Sequence, residues 1–243
     1  MFVPTHFRRY RVVTRKVESA DTISLYLKPL DEYPATPYVP GQYVSVRVDD
    51  YKPREYCISN TYDHGLLRLL IKHLDGHTEG LTEALYTRAN IGTVLDISYP
   101  HGNFVLADDM SPAIFIAQGI GIAPVVSMLE SIASQTPLRH AHVIYVTRDG
   151  KHFPLRDEIK GLVDMLMTGG LGVFYTHPNE DDVIGRDYDA LGMPSVTQLR
   201  SVCTNPKAHF YLAGTRDFCS RIGEELRALT VRDERIKALA FDA

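Results

Sequence analysis

The apolar pattern of this 243-residue chain changes period once, near residue 107, and that change limits the fold more than any other feature. Before it stand six short strand-like runs, FRRYRVVTRKVE, TISLYLKP, QYVSVRV, REYCIS, LLRLLIKH and VLDISYP. Turn formers divide them: YVPG at 38–41, DHG at 63–65, ANIG at 89–92 and PHGN at 100–103. Six such strands predict a closed or nearly closed antiparallel barrel, with one helix in TEGLTEALYTRA. After ADDMSPA, apolar runs alternate with longer amphipathic segments: AIFIAQG with APVVSMLESIASQ, HVIYVT with LRDEIKGLVDMLM, LGVFYTH with SVTQLRSV, HFYLAG with RDFCSRIGEELRAL. Strand then helix, four times over, predicts a parallel sheet wrapped by crossover helices. The expected fold is therefore β + α/β, with one domain over 1–108 and a second over 109–243.

Charge and cysteine usage remove several classes of function. With 26 Lys+Arg against 30 Asp+Glu the formal charge is −4, so no broad electrostatic footprint for nucleic acid or an anionic membrane is present. Any basic residue that matters must act locally. Cys57, Cys203 and Cys219 are far apart and form no CxxC pair, against a disulfide framework, a zinc site or an iron–sulfur cluster. No run approaches the roughly 18 apolar residues of a membrane span, and MFVPTHFRRYRVV lacks the apolar core of a leader. A cytoplasmic protein is expected.

Two stretches carry chemistry. In AIFIAQGIGIAPVVSML a strand ends at Gly119-Ile120-Gly121 and a helix opens near Pro124. Glycines let backbone N–H groups approach a ligand, and a helix N-terminus offers unpaired donors to a diphosphate. Pro suits the first helical turn, where its missing N–H is no loss. The plain alternative is a tight strand-to-helix turn with no ligand, and Pro124 stands where the usual dinucleotide fingerprint has Gly. The second stretch, REYCIS, crowds Arg54, Tyr56 and Cys57 into one strand. Taken singly these read as a surface ion pair, a barrel-wall aromatic and a small buried filler.

Together, PGQYVSVRV (40–48), REYCIS (54–59), QGIGIAPVVSML (118–129), FPLRDEI (153–159) and YLAG (211–214) resemble the ferredoxin-NADP reductase superfamily. Within it they are most similar to flavohaemoglobin reductase modules and stand-alone NAD(P)H:flavin reductases. The resemblance implies a six-stranded flavin-binding barrel followed by a Rossmann-like NAD(P)-binding domain. It implies an NAD(P)H-dependent flavin oxidoreductase using FAD, or FMN in its place, with NADPH or NADH as reductant. The acceptor would be a flavin, a haem protein or another small molecule, or a redox partner protein. A flavin-carrying electron-transfer subunit that does not itself oxidise NAD(P)H is the alternative, and a nucleotide-binding regulatory module that has lost flavin is a third reading.

The same resemblance implies residue roles. Arg54 pairs with the flavin diphosphate, Tyr56 packs on the isoalloxazine, and Cys57 sits near flavin N5, where the family has Ser or Thr. Tyr56 and Cys57 are the catalytic candidates. A thiol donates a hydrogen bond more weakly than a hydroxyl. Ile71 and Lys72 lie on the strand beside the ring. Thr82 either holds the second phosphate, although Gly80 is one position too close for the family spacing, or is an ordinary helix N-cap. Gly119, Gly121 and Pro124 form the pyridine-nucleotide loop. In YLAG, Ala213 replaces a frequent Cys beside the nicotinamide and is followed by Gly214. Arg148, after Thr147, either accepts a 2′-phosphate or is a solvated loop cation. Phe241 is either an aromatic over the flavin or part of a frayed tail. No metal site is expected: His73 and His77 lack a carboxylate at ligand spacing and read as a solvated loop.

Overall fold

The computed structural model describes residues 6–62, 65–74, 76 and 79–241, and His77 lies outside them. The chain divides into two compact units, Met1–Val105 and Leu106–Ala243.

The first unit is an antiparallel sheet of β1 (Phe7–Val17), β2 (Thr22–Pro29), β3 (Tyr43–Arg47), β4 (Arg54–Cys57), β5 (Leu67–Lys72) and β6 (Val94–Ser98), with helix α1 (Leu81–Arg88) after β5. The order β4-β3-β6-β1-β2-β5 leaves β4 and β5 at the two ends. They meet through the bridge Ile58↔Leu69 and a bond from Ser59 N–H to the Arg68 carbonyl of 2.9 Å, which closes the barrel. Strand alternation points Val12, Ile23, Leu25, Val44, Leu69 and Ile97 inward, all of them buried. Leu81 and Leu85 of α1 join the same core.

The second unit is a parallel sheet of β7 (Ala113–Gln118), β8 (Ala141–Thr147), β9 (Gly169–Tyr175), β10 (Ala190–Leu191), β11 (His209–Thr215) and β12 (Ile236–Phe241), in the order β10-β9-β8-β7-β11-β12. Helices α2 (Ile122–Gln135), α3 (Arg156–Asp164), α4 (Val196–Val202) and α5 (Arg216–Ala228) connect the strands. The order reverses direction between β7 and β11. At such a switch point the crossovers leave to opposite faces and open a crevice at the carboxyl ends of the strands.

Two strands exceed the expected four strand–helix units. The short β10 lies in the turn-rich 176–195 segment, and β12 pairs in parallel with β11 from Phe210↔Ile236 to Thr215↔Phe241. Phe241 is thus the end of a paired strand, which removes the frayed-tail reading. Among the described residues, no helix is long and apolar enough to cross a membrane.

Candidate functional site

In the first unit, the candidate residues gather where β4 meets the start of α1. The register Val44↔Tyr56 and Val46↔Arg54 turns Arg54 and Tyr56 to the core face of β4, toward the barrel end that α1 covers. The Tyr56 phenol lies 2.8 Å from Thr82 Oγ1, and Arg54 Nη1 donates to the same oxygen at 3.5 Å. Burial raises the Tyr56 pKa against the opposing effects of the Thr82 bond and the Arg54 charge, so the phenol keeps its proton. Arg54 itself is exposed.

Thr82 is not the helix N-cap. Gly80 holds that position at φ 102 and ψ 174, and among the described residues no side chain caps the helix. That dihedral belongs to glycine and starts the helix ahead of Thr82, placing its hydroxyl in the first turn. Among the described residues, the leading N–H groups of α1 therefore have no side-chain acceptor, and they stand beside a guanidinium and two hydroxyls. This donor set fits an anionic group such as a phosphate.

Cys57 projects from the opposite face of β4, in register with Tyr43. Burial pushes its thiol up to about 12, with the Glu55 charge adding to the shift, so it is a neutral, weak donor near pH 7. The structure does not bring Tyr56 and Cys57 to one face. Between them they border both sides of the strand. Next to Cys57 is a grouping that the sequence showed only as a turn: the Tyr43 and His101 rings meet edge-on at 4.3 Å. A Cβ at Gly102, φ 104, would fall 2.5 Å from the Tyr43 ring, so glycine is required there. Ile71 is fully buried with its side chain in the core, which confines any ligand role to its backbone. Lys72 Nζ lies 3.3 Å from Asp21 Oδ2.

In the second unit, the glycine turn occupies the switch point. Gly119–Gly121 forms a single 3₁₀ turn at the carboxyl end of β7, with Gly119 at φ 53 and its carbonyl held by the Tyr145 hydroxyl at 3.0 Å. Helix α2 opens at Ile122, making Pro124 its third residue, and again no side chain caps it. Gly121 is needed for close approach, because an added Cβ would lie 2.1 Å from the Ala213 carbonyl oxygen on β11. Gly214 is similarly confined, with Phe218 at 2.7 Å and Gln118 at 3.0 Å from an added Cβ. Ala213 is fully buried. A latch not singled out from the sequence spans the crevice: Thr215 Oγ1 bonds Gln118 Oε1 at 3.0 Å and also accepts from Phe218 N–H to cap α5. A Thr directly before an amphipathic run was the available signal.

Arg148 follows β8 with its side chain 58% exposed and Nε 3.8 Å from Asp149 Oδ2. Asp149 is buried and caps the turn Gly150–His152 through Lys151 N–H and His152 N–H. Burial alone would raise its pKa, but bonds from His152 and Asn179 outweigh that and hold it low. Arg148 thus sits beside a fixed negative charge. Phe241, at the far end of β12, is in register with Thr215. Among the described residues, no group of three or more His, Cys, Asp or Glu side chains could hold a metal ion.

Comparison with known proteins gives matches for both units. Residues 9–106 match an oxidoreductase FAD-binding domain and residues 115–222 an oxidoreductase NAD-binding domain. The flavohemoprotein of Bordetella pertussis is 34% identical over 98% of this chain and 61% of its own length. That of Chromobacterium violaceum is 30% identical over 97% and 60%. The chain thus spans about three fifths of these curated relatives. Among solved structures, the flavohem-like FAD/NAD binding domain of nitric oxide dioxygenase from Vibrio cholerae O1 biovar El Tor aligns with a TM-score of 0.86 and 25% identity, covering 97% of this chain and 99% of that one. A Malassezia yamatoensis flavohemoglobin with bound FAD and heme aligns at 0.83 and 26%, covering 97% and 60%.

Proposed function

We propose, from the premise that the chain belongs to the ferredoxin-NADP reductase superfamily, that it is an NAD(P)H-dependent flavin oxidoreductase that passes electrons to a separate acceptor. The observation that carries the reading is the convergence of Arg54, Tyr56 and Thr82 on the uncapped start of α1, alongside a glycine turn at the switch point of the other unit. A flavin bound at the first site would supply the chemistry, taking hydride from nicotinamide and releasing electrons singly or in pairs.

The chain's own residues bind and orient. The Arg54 guanidinium, planar with parallel donors, suits a phosphate oxygen pair, and the leading N–H groups of α1 add their partial charge. Thr82 holds the Tyr56 phenol and so fixes its ring. Cys57 offers a protonated thiol. Gly119 and Gly121 let backbone donors come close to a second diphosphate, and the Gln118–Thr215 latch holds the two strands that flank it. No side chain is asked to act as a general acid or base, and the work is orientation and exclusion of water.

The relatives of which this chain matches three fifths are flavohemoproteins, which favours a haem-containing acceptor, with free flavin or another small molecule as the other candidates. All three cysteines are free, as a reducing compartment keeps them, and the reading is of a cytoplasmic enzyme.

The test is a visible spectrum of the purified chain with FAD or FMN, taken under anaerobic conditions before and after NADH and then NADPH. The flavin band at roughly 450 nm is expected to bleach with at least one coenzyme. A flavin-loaded chain that neither coenzyme reduces would leave an electron-transfer subunit, and a chain that binds neither flavin would remove the reading altogether.

A further inference from the structure

The barrel closes at one seam, and the side chain that holds it is a buried arginine. Arg68 is 4% exposed, within an otherwise apolar run of β5. Burying a guanidinium is costly unless its donors are satisfied, so its bonds show what it is for. Nε donates to Ser59 Oγ at 3.0 Å, Nη2 donates to the Ser59 carbonyl, and Nη1 reaches the Tyr26 hydroxyl at 3.4 Å. Its backbone N–H donates to Asn60 Oδ1 at 2.8 Å, and Asn60 Nδ2 in turn donates to the Leu66 carbonyl at 2.8 Å. Ser59 is fully buried and returns two bonds to the Arg68 carbonyl, from N–H at 2.9 Å and from Oγ at 3.1 Å.

This grip replaces a ladder. On its other side β4 is paired with β3 at four successive positions, which fixes which way Tyr56 and Cys57 face. Toward β5, among the described residues, the pairing is reduced to the Ile58↔Leu69 bridge, the Ser59–Arg68 bonds and the bond from Arg68 N–H to Asn60 Oδ1. With so short a backbone pairing, the spacing of β4 against β5 rests in part on the Arg68 side chain, which grips Ser59, two residues beyond Cys57. These two strands carry the flavin-contact candidates, Tyr56 and Cys57 on one and Ile71 and Lys72 on the other.

We propose that Arg68 is a positioning residue for the flavin: it sets the gap between the two strands that border the isoalloxazine, acting through Ser59 and without touching the cofactor. The proposal rests on the flavin-reductase reading above.

The experiment measures FAD affinity by quenching of flavin fluorescence on titration with flavin-free protein, for wild type, Arg68→Met, Arg68→Lys, Ser59→Ala and the Arg68→Lys/Ser59→Ala double variant. Thermal unfolding of each is recorded in parallel. Val12→Ala, a cavity in the opposite wall of the barrel, serves as the stability control. Loss of charge-assisted bonds at the seam is expected to weaken FAD binding about tenfold or more in Arg68→Met. Arg68→Lys, which keeps the charge but not the fork, is expected between that variant and wild type. The double variant should lose less than the product of the two single losses, because both changes break the same contact. Val12→Ala is expected to lose thermal stability with FAD affinity near that of wild type.

If Arg68→Met does not fold, the Lys and Ala variants decide the matter alone. Unchanged FAD affinity in the Arg68 and Ser59 variants overturns the proposal, as does an equal loss in Val12→Ala at a matched fall in melting temperature. A wild-type chain that binds FMN but not FAD moves the same titrations to FMN, and one that binds neither removes the flavin reading itself, and the proposal with it.

Discussion

Cys57 shows how one residue can be legible in kind but not in setting. Its place in REYCIS marked it as a departure from a hydroxyl; only the structure shows a buried thiol on the opposite face of β4 from Tyr56. Alternation along a strand predicts opposite faces, but which face is core depends on partners distant in sequence. Burial holds the thiol pKa up to about 12, above an ordinary value of about 8.5. The native state therefore keeps a proton that the unfolded chain gives up. The stability contribution is intact below the unfolded value and is lost as pH rises toward the folded one, at a slope of about 1.4 kcal/mol per pH unit. Serine does not ionise in that window. The urea midpoint of wild type is thus expected to fall more steeply above about pH 8.5 than that of Cys57→Ser, and parallel curves would show that the thiol is not buried in solution. With a stronger donor, Cys57→Ser is also expected to keep its flavin content while changing the rate of bleaching by NAD(P)H in stopped-flow measurements. An unchanged rate in a flavin-loaded variant would remove Cys57 from the reacting centre.

At the scale of elements, local chemistry was readable and pairing was not. Helix α4 announces itself through the Ser195–Gln198 capping box. The start of α1 does not, because its first residue is fixed by the positive φ of Gly80 and not by a capping side chain. Strand β12 is not legible in the sequence because no turn signal sets IKALAF off, and its strand character comes from the partner β11. Two glycines test these backbone arguments in opposite directions. Gly161 lies inside α3 on the exposed side, with nothing within 4 Å of an added Cβ. Gly161→Ala is expected to stabilise the protein by about 0.5–1 kcal/mol through helix propensity. Gly80 also has open space around an added Cβ, but at φ 102. Gly80→Ala is expected to cost about 1–3 kcal/mol and to weaken FAD binding by disturbing the N–H groups of α1. Denaturant midpoints and FAD titrations read both variants, and a stabilising Gly80→Ala would mean that α1 does not start as described.

For the whole molecule, the single change of period near residue 107 was enough to separate an antiparallel unit from a parallel one, because periods of 2 and 3.6 leave different traces in the chain. The closing seam of the barrel was not legible: it rests on one bridge and one buried arginine, and an arginine inside LLRLLIKH gives no hint of its partner. The division of labour between the units can be tested by one change that touches only one of them. Arg54, Tyr56, Cys57 and Thr82 all belong to the first unit and Gly121 to the second. An alanine at position 121 would press its Cβ on the backbone of Ala213 and Gly214, atoms that cannot swing aside, at a cost of about 1–3 kcal/mol or more. The glycine turn and the end of β11 must then part, and the turn is the proposed seat of the coenzyme diphosphate. Gly121→Ala is therefore expected to bind FAD within about twofold of wild type and to bleach normally with dithionite, while needing at least about tenfold more NADH or NADPH for the same bleaching. If coenzyme dependence is unchanged, the diphosphate does not sit on this turn. If FAD affinity falls in step with coenzyme affinity, the two units do not divide the binding of flavin and coenzyme between them.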